Sequence, residues 1–249
     1  MFRVELRFYE ELNRFLPRPV RKRSFETTFS EPRSVKDLIE SQGVPHTEVD
    51  LILVNGQPED FGYRVRDGDR ISVYPTFESI DISGVSGLRR PPLRQPRFLA
   101  DVHLGKLARR LGLLGFDCEL DGDADDAELA RRSAREHRIL LTRDRGLLKR
   151  AVVTHGMYLH SDVPDRQTVQ VLRRLDLAEK AQPFSRCLRC NGDLRRVPAA
   201  SVRDRVPRET QRVVETFYRC DSCGHVYWKG AHWRKLQHIV ETALARARA

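Results

Sequence analysis

The chain has 249 residues, with 45 Lys and Arg against 35 Asp and Glu, a net charge of +10 and a pI near 9.7. Its 40% hydrophobic content is enough to build ordinary cores, which excludes wholesale disorder, and its length fits one large domain or two small ones. No apolar run approaches the roughly 20 residues that span a bilayer, which excludes an integral membrane protein.

The amino terminus, MFRVELRFYEELNRF, alternates charge with apolar residues and lacks the apolar stretch of a signal peptide. Four of the five cysteines form two CxxC pairs. In a chain without a secretory signal this predicts metal binding, not disulfides, and a cytoplasmic location. The charge is uneven. Residues 1–83 carry 12 basic and 15 acidic side chains, and residues 84–97 carry four basic and none acidic. Residues 98–180 are nearly balanced, whereas 181–249 carry 14 basic and six acidic. Arginine supplies most of the excess, and its planar fork suits phosphate, so a polyanion partner is expected.

From the amino terminus, Phe2, Val4, Leu6 and Phe8 alternate with charged residues, the period of a half-buried strand. A second strand is predicted over 23–30. Ser34 reads as a helix N-cap with Asp37 three residues on, and Gly43 as the stop. Leu51–Val54 then meets Asn55-Gly56, a hairpin signal, and Asp67-Gly68-Asp69 precedes a strand from Arg70 to Tyr74. This order predicts a β-grasp domain over 1–82. Its VNG and DGD phrases resemble the ubiquitin-like sulfur carriers, but those end in a free Gly-Gly tail. Here Gly84 and Gly87 are separated and lie mid-chain, so docking or partner recognition is expected instead of carrier chemistry. Residues 83–96 read as a basic linker.

Next, Phe98–Asp101 reads as a strand ending in an acid, and Leu104, Leu107, Ala108, Leu111 and Leu114 follow at helical spacing until Gly115. Strands are predicted at 116–120, 138–142 and 152–159, with helices after Asp126 and over 169–177. Strands alternating with helices predict a parallel α/β domain over 97–180. Functional groups gather beyond the carboxyl ends of such strands. Asp101 and Asp144 stand there, with Asp123, Asp125 and Asp126 at a helix mouth. Converging carboxylates repel unless a cation neutralises them, and Mg²⁺ or Mn²⁺ takes such oxygen ligands. Each acid has a plainer role open to it: Asp125, Asp126 and Asp144 as helix caps, Asp121 and Asp123 in a turn, Asp162 and Asp165 in a solvated loop.

Over 181–249, Cys187-Leu-Arg-Cys190 and Cys220-Asp-Ser-Cys223 read as two metal knuckles, predicting a structural, tetrahedral Cys₄ zinc ribbon. Cys118 reads as a buried filler and His225 as a knuckle residue. Aromatics interleave with cations at Phe217–Arg219, Val226–Gly230 and His232–Lys235. They would stack on bases or pack the ribbon.

The ordered motifs FLADVHLGKLARRLGLLGFD, DADDAELARRSAREHRILLTRDRGLLKR, SRCLRCNGDL and FYRCDSCGHVYWKGAHW resemble the Mut-seven carboxy-terminal RNase domain family. That family joins a PIN-like nuclease domain to a zinc ribbon, and bacterial members often carry a ubiquitin-like amino-terminal domain. The resemblance implies a metal-dependent ribonuclease acting on single-stranded RNA, with Asp101, Asp126 and Asp144 as the acidic cluster holding catalytic Mg²⁺ or Mn²⁺. Asp125 is the alternative to Asp126, Glu128 an assisting group, and Asp162 or Asp165 a fourth acid. Arg143, Arg145 and the ribbon would guide the RNA backbone. The competing expectations are a non-catalytic adaptor gripping tRNA or other structured RNA while the β-grasp domain recruits a protein, and a sulfur-transfer accessory.

Overall fold

The structure, a computed structural model, describes residues 1–76, 88, 95–230 and 232–249. The linker expected over 83–96, including Gly84 and Gly87, falls largely outside them. The elements begin with β1 (Phe2–Phe8), β2 (Phe25–Phe29), α1 (Val35–Ser41), β3 (Val49–Val54), β4 (Gln57–Glu59) and β5 (Arg70–Pro75). Then come β6 (Phe98–Ala100), α2 (Gly105–Leu113), β7 (Cys118–Leu120), α3 (Asp126–Arg135), β8 (Ile139–Thr142), α4 (Arg145–Leu148) and β9 (Gly156–Tyr158). Last are α5 (Pro164–Arg174), β10 (Leu194–Val197), α6 (Arg208–Val213), β11 (Phe217–Cys220), β12 (Val226–Trp228) and α7 (Trp233–Arg248). They divide into two compact units, Met1–Arg94 with Ala124–Tyr158, and Gln95–Asp123 with Leu159–Ala249.

In the first unit the sheet order is β2-β1-β5-β3-β4, with β1 and β5 parallel and the other neighbours antiparallel. This is a β-grasp sheet, closed over α1. The alternation of β1 puts Val4, Leu6 and Phe8 into a core with Leu38, Ile39, Ile52, Ile71 and Val73. The Ser34 hydroxyl caps α1 by accepting the Asp37 amide at 3.1 Å and donates to the Asp37 carboxylate at 2.7 Å. Asn55 and Gly56, at φ +51° and +83°, form the two-residue turn between β3 and β4. Asp69, almost fully buried, accepts from the Tyr63 hydroxyl, the Asn55 amide and the Arg66 backbone. The DGD phrase is thus a structural turn.

The same unit holds α3, the parallel pair β8 and β9, and α4. Buried Arg138 pairs with Glu136 at 2.9 Å, and Arg132 with the same carboxylate at 2.7 Å. The Arg132 hydrogen bond, against partial burial, and then Arg138 hold the Glu136 carboxyl below the usual range. Strand β9 is shorter than the predicted 152–159 because a turn takes the preceding residues, the Val153 amide donating to the Arg150 carbonyl.

In the second unit β6 and β7 pair in parallel, and α2 buries Leu107, Ala108, Leu111 and Leu113. Phe116 is drawn out of the predicted strand by a bond from its amide to the Leu111 carbonyl. Gly115 ends the helix at φ +92°, and a Cβ there would stand 2.2 Å from the Gln182 carbonyl oxygen. Only glycine fits that position. Helix α5 starts at Pro164, earlier than Val169, because proline at the first helical position fits its fixed φ. It packs on α7, where the Arg173 guanidinium donates to the Arg246 carbonyl. The antiparallel ribbon β10-β11-β12 covers a small core of Val202, Val206, Phe217 and Val226. No helix among the described residues is long and apolar enough to cross a membrane.

Candidate functional site

Each CxxC pair folds into a knuckle built the same way. In the first, the Arg189 amide points at the Cys187 Sγ at 3.4 Å. In the second, the Cys223 amide points at the Cys220 Sγ at 3.5 Å. The residue after each second cysteine, Asn191 and Gly224, takes a left-handed backbone at φ +61° and +70°. Gly192 is required by close approach, since a Cβ would meet the Ser222 hydroxyl at 2.4 Å and the Cys220 Sγ at 3.1 Å. The first knuckle is anchored to the α/β segment of its own unit: the Asn191 side-chain amide donates to Asp117 at 2.8 Å, and Arg186 to the Gly115 carbonyl at 3.2 Å.

These turns bring all four sulfurs within 4.8 Å of one another. The Cys187–Cys223 and Cys190–Cys220 separations are 3.7 and 3.4 Å. Sulfurs on a tetrahedral ion at about 2.3 Å would stand about 3.8 Å apart, so the spacing fits a metal such as zinc. The electrostatics agree. Burial pushes the Cys187 thiol up, but the Tyr227 phenol at 3.1 Å and the Cys190 and Arg189 amides outweigh it, bringing the group to about 6. The Gly192 amide pulls Cys190 down, yet burial and the three neighbouring sulfurs raise it to about 12. Four thiolates this crowded are stable together only around a cation. Burial first, then the Cys187 sulfur, raises the Tyr227 phenol, so the phenol donates to the sulfur. Tyr227 is the residue that sequence reasoning missed as a partner of the cluster. Its only local signal is its place two residues after His225. The His225 carbonyl accepts the Cys220 amide, and its ring is outside the sulfur set. Cys118 is buried, as expected.

The acids sit where their strands end, and several act as caps. Asp101 follows β6 and accepts the His103 amide at 3.2 Å. Asp144 caps α4 through Oδ1, which accepts the Gly146 and Leu147 amides at 2.6 and 3.3 Å. Asp125 caps α3 by accepting the Glu128 amide at 2.7 Å, leaving Asp126 as the first helical residue, exposed. Asp121 accepts the Asp123 amide within a turn. Glu128 pairs with Arg131 at 3.0 Å, Asp165 pairs with Arg110 at 2.8 Å, and Asp162 is exposed. Asp125, Asp126 and Asp144 belong to the first compact unit and Asp101 to the second. Among the described residues the four cysteines are the one group of three or more potential ligands that closes to within 4.8 Å. Arg143 is exposed, whereas the Arg145 guanidinium lies over the Phe15 and Tyr158 rings at 5.1 and 5.4 Å, so it is not displayed as a free guide for RNA.

On the ribbon, register places Arg196, Tyr218 and Tyr227 side by side across the three strands on one face. Phe217, Val226 and Trp228 face the other way, and Phe217 and Val226 are buried. Phe217 and Trp228 therefore serve packing, as does Trp233, whose ring lies 4.1 Å from that of Phe184, and the Tyr227 phenol is hydrogen-bonded to Cys187.

A β-grasp domain, an α/β segment with acids at its strand ends and a four-cysteine ribbon define a chain of three modules. Family models bear this out: the Mut7-C ubiquitin model matches residues 1–81, and the Mut7-C RNAse domain model matches residues 96–240. The chain belongs to the Mut7-C RNAse domain family. Neither a curated protein nor a solved structure matches it.

Proposed function

We propose that this protein is a metal-dependent ribonuclease with a PIN-like domain that cleaves phosphodiester bonds of single-stranded RNA. The observation that carries the reading is the RNAse-domain match over 96–240, within which Asp101 and Asp144 stand just past the ends of β6 and β8. Asp101, Asp126 and Asp144 are assigned to Mg²⁺ or Mn²⁺. Hard carboxylate oxygens are the right donors for either ion. Asp126 is preferred to Asp125 on the family resemblance, since capping through Oδ1 is common to Asp125, Asp101 and Asp144 and does not separate them. The ion, when bound, supplies a water activated at neutral pH and offsets charge on the leaving oxygen.

The chain's own residues orient and bind. The amides of Gly146 and Leu147 hold one oxygen of Asp144, fixing the plane of its carboxylate. Arg143 and Arg196 supply phosphate contacts, and Tyr218 a stacking surface, for RNA. The four cysteines hold zinc as a closed structural site, with no position open for chemistry. A reducing, cytoplasmic setting suits such thiolates.

The test is an RNase assay of the purified, zinc-loaded protein on single-stranded RNA over an Mg²⁺ and Mn²⁺ series. Cleavage that requires the added ion is expected. The adaptor reading is favoured by the cap bonds that occupy the acids and by the basic ribbon. It predicts salt-sensitive binding of tRNA or another structured RNA with no ion-dependent cleavage at any concentration.

A further inference from the structure

Within the first compact unit, the β-grasp domain and the segment that follows Asp144 are tied together from both sides. Two cations at the two ends of α4, Arg145 at its first position and Lys149 at its C-cap, reach into the β-grasp domain. The Arg145 guanidinium covers the Phe15 ring and donates to the Phe15 carbonyl at 3.4 Å, and the Lys149 ammonium donates to the Glu40 carbonyl in the last turn of α1. Phe15 in turn meets the Tyr158 ring edge-on at 5.3 Å.

Two residues of the β-grasp domain reach the other way. His46 is 5% exposed. Its Nε2 donates to the Val153 carbonyl at 3.0 Å, and its Nδ1 lies 2.7 Å from the Glu40 carboxylate. Glu48 is fully buried and accepts the Tyr158 amide at 2.6 Å. A carboxylate is almost never buried without built partners, and side chains from both partners share these bonds. This face of the β-grasp domain is therefore occupied by the chain itself and is not open to recruit another protein.

We propose that the β-grasp domain is an intramolecular brace that holds α4 and so sets the direction of the Asp144 carboxylate, with Arg145 and Lys149 as positioning residues. Helix α4 has only four residues and cannot stand alone. Its second and third amides, those of Gly146 and Leu147, are the groups that grip Asp144. Arg145 directly follows Asp144 in the chain and is held against Phe15, so releasing the β-grasp domain loosens the cap. The brace stands on the contacts alone, and its consequence for cleavage rests on the ribonuclease reading.

The experiment uses full-length, zinc-loaded protein and the variants Lys149→Met and His46→Gln, which cut one tie from each side and touch no assigned ligand. Hydrogen exchange over residues 143–158 is expected to rise by about tenfold in both, while β1 and β5 stay protected and show the β-grasp domain folded. In Mn²⁺, kcat is expected to fall by about tenfold with KM for RNA unchanged, the signature of a mis-set group and not of lost binding. Unchanged exchange over 143–158 in both variants would overturn the brace. Raised exchange with unchanged kcat would overturn its effect on Asp144. Wild-type protein that does not cleave would remove the ribonuclease reading, with the exchange result still deciding the brace. For Arg145→Met, a raised KM without raised exchange would make Arg145 an RNA contact and overturn its role as a positioning residue.

Discussion

Replacing Cys187 or Cys220 with serine is expected to release the metal and unfold the ribbon while leaving the β-grasp domain intact. The two cysteines are buried, one from each knuckle, so each change removes a ligand from the centre of the cluster. The effect is large because the ribbon has little else to hold it. Its strands are four, four and three residues long, and its core is the small set Val202, Val206, Phe217 and Val226. A core that small does not offset the entropy of ordering the chain, whereas structural zinc contributes roughly 10–16 kcal/mol of apparent binding energy to folding. Metal analysis of the wild-type protein should find one zinc per chain. Either serine variant, or chelator, should bring this to zero and open the stretch between Cys187 and Trp228 to protease. Full protease resistance in a zinc-free variant would contradict the structural role. Tyr227→Phe should retain zinc but lose it to chelator sooner, since it removes only the phenol that donates to Cys187.

Asp101→Asn and Asp144→Asn are each expected to lower Mn²⁺-dependent cleavage by a factor on the order of 10²–10⁴ while RNA binding stays intact or tightens. Asparagine isolates the charge. Its side-chain oxygen still accepts the amides that Asp101 and Asp144 accept now, from His103 and from Gly146 and Leu147, so both caps survive. What is lost is a negative oxygen for a divalent ion. Asp126→Asn should resemble them, and Asp125→Asn should do little, because asparagine caps α3 as well as aspartate does. Thermal unfolding of all four variants should lie close to wild type. A cleavage loss matched by a loss of stability would make the caps, and not the charges, responsible.

Local features of the fold were legible where short-range chemistry decides them. The alternation of Phe2 to Phe8, the cap at Ser34, the turn at Asn55-Gly56 and the helix stop at Gly115 all appear at their predicted places. The two CxxC pairs likewise specified the cysteine cluster, since each knuckle is closed by bonds within a few residues. Features set by distant partners were not legible. Phe116 and residues 152–155 have strand-like composition, yet turns claim them. Nothing near His46, Glu48 or Arg145 announces that their partners are Val153, Tyr158 and Phe15. Arg145 reads as an RNA guide because an arginine beside a strand-end acid suits phosphate. Only tertiary packing shows its guanidinium stacked on aromatic rings.

The most direct test of the ribonuclease account is the binding of Mn²⁺ itself, followed by electron paramagnetic resonance in zinc-loaded protein without RNA. Wild-type protein should take up Mn²⁺ saturably, and Asp101→Asn and Asp144→Asn should each abolish that uptake although these residues lie in different compact units. Equal Mn²⁺ uptake by all three proteins would show that the two carboxylates do not share an ion, and the assignment of a nuclease centre to them would fail.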